Sequence, residues 1–292
     1  MSARDGHNVS AVTLTLPESA ARLTFHGTGG ARPFPPLGFE AVAEGELGNG
    51  DHFGLYWAFG RETEPPMVCE LIHDGWLEPA FSSADRFARW TLANDGEWND
   101  ERPEDPELCT TLHARARQAL GSGDVDGAIA LLRASVAAFG EWSEPWFLLA
   151  DQLRRVGDGD GFERCTLEAV RANWAFGPPP TGALRCLRRV RRDGPLGDDP
   201  LVSHAPALSL RFGGVKENPD YACLRDCVSR YRSRGDAPAA ARMLQNYGLE
   251  LSRETTAFQA REGFDQARWA AELTELCESA FGSTRTLAGA SR

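Results

Sequence analysis

Asn49-Gly50-Asp51-His52-Phe53-Gly54-Leu55-Tyr56-Trp57 is the stretch on which the fold of the front of the chain turns. Asn and Gly tolerate positive φ, so Asn-Gly-Asp reads as a tight turn, and the aromatic-rich residues after it are those favoured on a pleated sheet. Downstream the pattern repeats. A proline-bearing loop, Glu64-Pro65-Pro66, leads into the apolar run Met67-Val68-Cys69-Glu70-Leu71-Ile72, which stops at a His73-Asp74-Gly75 turn before Trp76. These pieces predict an antiparallel pair. Phe81-Ser82-Ser83-Ala84-Asp85 then supplies a serine N-cap with an acid three residues after Ser82, followed by Phe87, Trp90 and Thr91 at helical spacing. Upstream, Val12 to Leu16 and Arg22 to Phe25 alternate apolar and polar residues as strands do.

Leu37-Gly38-Phe39, Gly48-Asn49-Gly50-Asp51, Phe53-Gly54-Leu55-Tyr56-Trp57 and the step Ala80-Phe81-Ser82-Ser83 into a helix occur in an order that resembles the SUKH superfamily. That superfamily includes a yeast cell-wall-synthesis regulator and many bacterial immunity proteins that neutralise secreted toxins. Leu16-Pro17-Glu18 followed by Gly29-Gly30 is similar to the family's opening helix and glycine-pair turn, in competition with the strand alternation there. The resemblance covers residues 10 to 94 and implies a small α+β domain, an antiparallel sheet with flanking helices, that works by binding protein. Asp51, Phe53, Tyr56, Trp57, Asp74 and Trp76 are the candidate partner contacts, since aromatic side chains left exposed on a sheet make natural anchors.

Behind this segment, Asp95-Gly96-Glu97-Trp98-Asn99-Asp100-Glu101-Arg102-Pro103-Glu104-Asp105-Pro106 is acidic and broken by prolines, the composition of an exposed linker. The expected division is residues 1–94 for the α+β domain, 95–108 for the linker, 109–285 for an all-α domain and 286–292 for a tail. Gly123-Asp124-Val125-Asp126-Gly127 recurs as Gly157-Asp158-Gly159-Asp160-Gly161, 34 residues later, which is the tetratricopeptide period. In that register Trp146, Leu149, Ala150, Gly157 and Ala169 stand where the tetratricopeptide family places its aromatic, leucine, small, turn and alanine residues. Gly-Asp ends one helix and lets the next fold back, and Ala116, Ala128 and Ala150 permit close approach. A third unit is expected from Tyr221 to Tyr247 around Gly235-Asp236, 78 residues after Gly157. Between them lie Pro178-Pro179-Pro180, a predicted helix from Gly182 to Asp193 and a loop-like stretch. Segments Ala257 to Arg268 and Trp269 to Phe281 would cap the stack.

At 292 residues, 42% hydrophobic and 25% charged, the composition is that of a globular chain of about two domains. No apolar run is long enough to cross a bilayer and no signal-peptide core follows Met1, so a cytoplasmic protein is expected. The net charge of −11 comes mainly from the first hundred residues, with 6 basic against 15 acidic. A field of that sign repels nucleic acid and favours a basic partner, although it also serves solubility. Seven scattered cysteines form no disulfide framework, and Cys223 and Cys227, four apart on a helix, lack two further metal ligands nearby. Leu184, Leu187 and Val190 make an apolar stripe in the basic stretch Leu184 to Arg192, which reads as a packed helix with arginines outward. His52 beside Asp51 and His73 beside Asp74 would point to opposite faces of a strand, and no nucleophile, phosphate-loop or metallohydrolase motif appears. The expectation is a protein without catalytic, cofactor or metal residues that binds and neutralises a toxin domain. The alternative is a cytosolic scaffold or regulator of envelope synthesis or signalling, and a hydrolase using His73 or Asp74 is a third reading.

Overall fold

A computed structural model describes residues 12–15, 22–25, 31–46, 50–94, 101–214 and 217–282. Six strands, β1 (Val12–Thr15), β2 (Arg22–Phe25), β3 (Phe39–Glu46), β4 (His52–Tyr56), β5 (Met67–Leu71) and β6 (Leu77–Phe81), form one antiparallel sheet in chain order. The predicted pair is β4 and β5, in register from His52 opposite Leu71 to Tyr56 opposite Met67. At the start, alternation prevails over the opening helix implied by the resemblance, for β1 and β2 pair from Val12 opposite Phe25 to Thr15 opposite Arg22. Leu16-Pro17-Glu18 and Gly29-Gly30 lie outside the described residues, as does the tail 286–292.

Two glycines of the motif have a packing reason. A Cβ on Gly54 would run into the Phe39 ring and stand 2.7 Å from the Glu40 carbonyl, so only glycine lets β3 cross β4 this closely. Gly38 holds φ +105° against the Trp57 carbonyl.

Because successive side chains of a strand alternate faces, β4 feeds two cores. Phe53 and Leu55, with Val68 and Phe81, meet Phe87, Ala88 and Trp90 of α1 (Ala84–Ala93) in one closed cluster. Ser83 caps α1 by accepting from Arg86 N at 3.3 Å, one residue later than the Ser82 cap that the sequence favoured. On the opposite face Phe39, Tyr56, Cys69 and Leu77 join Phe139, Leu167, Trp174 and Phe176 in a core that continues through the helices. The sheet is the middle layer of the front half, and all but the first residues of β4 and β5 are buried because both of their faces are covered.

The remaining helices begin as hairpins: α2 (Cys109–Gly121) with α3 (Val125–Ala138), α4 (Ser143–Arg155) with α5 (Gly159–Arg171), and, after an interruption, α8 (Asp220–Ser233) with α9 (Ala237–Ser252). All three turns are built alike. Gly123, Gly157 and Gly235 hold φ +83°, +82° and +73°, a left-handed conformation without penalty for glycine. The next residue closes a Schellman bond, with Asp124 N to Ala119 O at 2.9 Å, Asp158 N to Leu153 O at 2.9 Å and Asp236 N to Tyr231 O at 3.0 Å. Each aspartate then caps the following helix, accepting from Gly127 N (2.8 Å), Gly161 N (2.8 Å) and Ala239 N (3.1 Å). The first two hairpins also tie their helices at equivalent places with the donor exchanged. Ser135 Oγ on α3 donates to the Cys109 carbonyl on α2, whereas Ser143 Oγ on α4 donates to the Ala169 carbonyl on α5.

The interruption contains a 3-10 turn (Trp174–Phe176), α6 (Thr181–Leu187) and α7 (Pro200–His204), and the chain closes with α10 (Thr256–Arg261) and α11 (Gln266–Phe281). α6 is shorter than the helix predicted to Asp193. Beyond it Arg188 donates to the Ala205 and Leu208 carbonyls and Arg191 binds Glu163, so part of the basic stretch fastens the loop that follows.

The acidic stretch expected as a linker is anchored to the α+β part at a few residues. Residues 95–100 lie outside the described residues; in 101–108 Glu101, Pro103, Glu104, Pro106 and Glu107 are exposed, while Arg102, Asp105 and Leu108 are partly or fully buried. Asp105, 4% exposed, accepts from Ser82 N at 2.7 Å and Ser82 Oγ at 3.0 Å. The Arg102 guanidinium lies over the Phe53 ring, and the Trp90 indole donates to the Glu101 carbonyl.

Candidate binding groove at the junction of sheet and helices

The six candidate contacts separate into three places. Phe53, Tyr56 and Trp57 are buried, at 0%, 1% and 5% exposure, and are core rather than surface anchors. Phe53 stacks among Phe81, Phe87 and Trp90 beneath Arg102. Tyr56 belongs to a polar knot between the two parts of the chain. Its hydroxyl donates to Glu141 Oε2 at 2.5 Å and accepts from Asn173 Nδ2 at 3.0 Å. Glu141 Oε1 takes the Phe59 amide at 2.8 Å, and Asn173 Nδ2 also reaches Oε2 at 3.0 Å. This buried carboxylate is held by three donors. Burial, then the Glu141 charge, pushes the Tyr56 hydroxyl well above its ordinary range.

Asp51 and Asp74 both bind His73, at 2.8 Å to Nδ1 and 3.0 Å to Nε2. The expectation that His73 and Asp74 point apart is corrected, because they sit in a turn rather than a strand and meet at 3.0 Å. The sequence also missed Asp51 with His73, which the β4–β5 register brings together from 22 residues apart. Asp51 Oδ1 also accepts from His73 N at 2.8 Å, so the pair locks two turns at one end of the sheet. The hydrogen bond to the Asp51 carboxylate, opposed by desolvation and aided by the charges of Asp74 and Asp51, raises the His73 pKa.

Trp76 lines a cavity formed by described residues. It stands just before β6, with Arg253 stacked over its ring. The cavity, of about 400 Å³, lies where β6, the first turns of α2 and α4, and the chain after the 3-10 turn meet. Trp76, Glu78, Trp142, Glu144, Phe176 and Pro178 line it. A second cavity of about 350 Å³ shares Glu144 and runs along α2 and α4, lined by His113, Arg117, Phe147, Leu148, Asp151 and Pro180. The His113 ring packs edge-on against Trp142 at 4.9 Å, joining the two. Burial, set against the Glu144 charge, holds the His113 pKa below its ordinary value.

Trp142, Glu78, Glu144 and His113 were not among the sequence candidates. One signal was present: α2 and α4 begin on Leu108 and Trp142, apolar residues where a capping side chain is usual, and neither start has a side-chain cap. Among the described residues no group of three His, Cys, Asp or Glu side chains is placed to hold a metal ion. Cys227 is buried in α8, where burial raises its thiol pKa. No described helix is long and apolar enough to cross a membrane.

The fold and groove define a class: an α+β sheet sharing its core with helical hairpins, with an open pocket at the seam. Residues 25–100 match the YfbP N-terminal domain and residues 211–287 the YfbP C-terminal domain. A protein of Escherichia coli (strain K12), described as uncharacterized protein YfbP, is 38% identical over 259 residues, covering 87% of this chain and 92% of that protein. The chain belongs to the YfbP family.

Proposed function

We propose that the protein acts by binding another protein, without chemistry of its own, and that its partner is a toxin domain which it neutralises. The observation that carries the binding reading is the groove at the seam. It is walled by aromatic side chains, and the indole N–H groups of Trp76 and Trp142 and the carboxylates of Glu78 and Glu144 make no hydrogen bond or ion pair with other described residues. Unspent polar groups around an apolar pocket are what a recognition surface offers. The toxin as partner rests on the SUKH resemblance of residues 10–94 and on the acidic front of the chain, which suits a basic cleft. In the same reading the Gly-Asp hairpins are tetratricopeptide-like units, supported by their 34-residue spacing and matching turns. The Asp51–His73–Asp74 cluster is a turn lock rather than a hydrolytic centre.

The rival reading, a cytosolic scaffold or regulator, is favoured by the place of the groove, which runs along α2 and α4 rather than over the acidic front. Affinity purification of the tagged full chain from its host, with mass spectrometry, separates them. One partner in fixed ratio, a toxin whose activity the purified protein abolishes, is the expected result. Several envelope or signalling proteins would move the weight to the regulator, and no protein partner would overturn binding as the function.

A further inference from the structure

The groove holds indole donors that have no partner among the described residues. The indole N–H groups of Trp90, Trp146, Trp174 and Trp269 each donate to a backbone carbonyl, but those of Trp76 and Trp142, both lining the junction cavity, have no partner among the described residues. α2 and α4 start at the same cavity without side-chain caps, so first-turn amides add further donors. In the adjoining cavity the His113 ring makes no hydrogen bond with other described residues. At the rim Glu78 and Glu144 are exposed and make no ion pair with other described residues.

We propose that the groove holds an extended, proline-rich segment of the protein partner, with a lysine or arginine beside its prolines; this rests on the protein-binding reading. A polyproline II segment makes no internal hydrogen bonds, so its carbonyls are free to accept from indole and helix-start N–H groups. Proline has no N–H, so such a ligand brings few donors that the cavity must satisfy. Its rings pack on Trp76 and Trp142, and its stiffness lowers the entropy of ordering on binding. The basic side chain meets Glu78 and Glu144 at the rim. A helix would arrive with its carbonyls already spent, and an acidic segment would face both rim carboxylates.

The test is a titration of the ¹⁵N-labelled full chain, following the indole signals of Trp76 and Trp142, assigned with Trp76→Phe and Trp142→Phe. The probes are an acetylated Pro-Pro-Arg-Pro-Pro peptide, the same peptide with Glu replacing Arg, and one with Ala replacing every Pro. Saturable movement of both signals with the first peptide is expected, with affinity about tenfold lower for either control and for Glu78→Gln/Glu144→Gln. No saturable shift, equal response to the controls, or preference for the Glu peptide overturns the proposal. Failure here is distinguishable from failure of the protein-binding reading. A host partner retained by Glu78→Gln/Glu144→Gln, with the peptides silent, removes only the proline-rich segment, whereas a host that yields no partner removes the function.

Discussion

At the residue scale, the knot around Glu141 and the crossing at Gly54 are the places where one atom decides most. Tyr56→Phe removes a donor from a carboxylate that is 3% exposed, and the expected loss is about 1–3 kcal/mol in denaturant unfolding. Gly54→Ala sets a methyl group against the Phe39 ring and the Glu40 carbonyl, for an expected loss of about 1–3 kcal/mol by the same measurement. Two histidines should titrate in opposite directions from the ordinary value of 6.5. His73 is raised, so its contribution to stability is complete below 6.5 and is lost as pH rises through its folded pKa. His113 is lowered, so its contribution is complete above 6.5 and is lost as pH falls through its folded pKa. Histidine-resolved NMR titration checks both, and Asp51→Asn should return His73 toward 6.5 while leaving His113 in place.

At the element scale, the three Gly-Asp turns give a graded test. Asp124→Ala, Asp158→Ala and Asp236→Ala each remove an N-cap and should each cost about 1 kcal/mol. The turns share no partner, so the triple variant should lose about the sum, read from denaturant midpoints. These turns were the most legible part of the sequence, because a left-handed glycine followed by a capping aspartate is local chemistry that needs no tertiary partner. β4, β5 and α1 were legible for the same reason, through the Asn-Gly-Asp turn and the Ser83 step. The end of α6 was not, since Arg188 turns away to carbonyls on a segment roughly twenty residues later. The groove was hidden as well. Trp76 reads in sequence like the buried Tyr56 and Trp57, and only the arrival of α2, α4 and the 3-10 turn separates an aromatic that lines a pocket from one that fills a core.

At the scale of the whole molecule, one apolar core runs from Phe39 and Tyr56 through Trp174 to Leu273, so sheet and helices should not melt apart. Tryptophan fluorescence and far-ultraviolet circular dichroism are expected to report one coincident transition in denaturant. A fragment ending at residue 108 leaves the Tyr56 face of the sheet bare and should fail to yield a folded, monomeric species by size-exclusion chromatography; a stable fragment would show that the sheet closes without the helices. The same layering sets a timetable for synthesis. One side of the sheet has its cover once α1 leaves the ribosome, but the other waits for helices that come much later, and Gln245 of α9 reaches back 212 positions to the Pro33 carbonyl. For most of its time as a nascent chain the protein carries a half-finished face. Its yield in the cell should therefore depend on how well that face is sheltered until the last helices emerge.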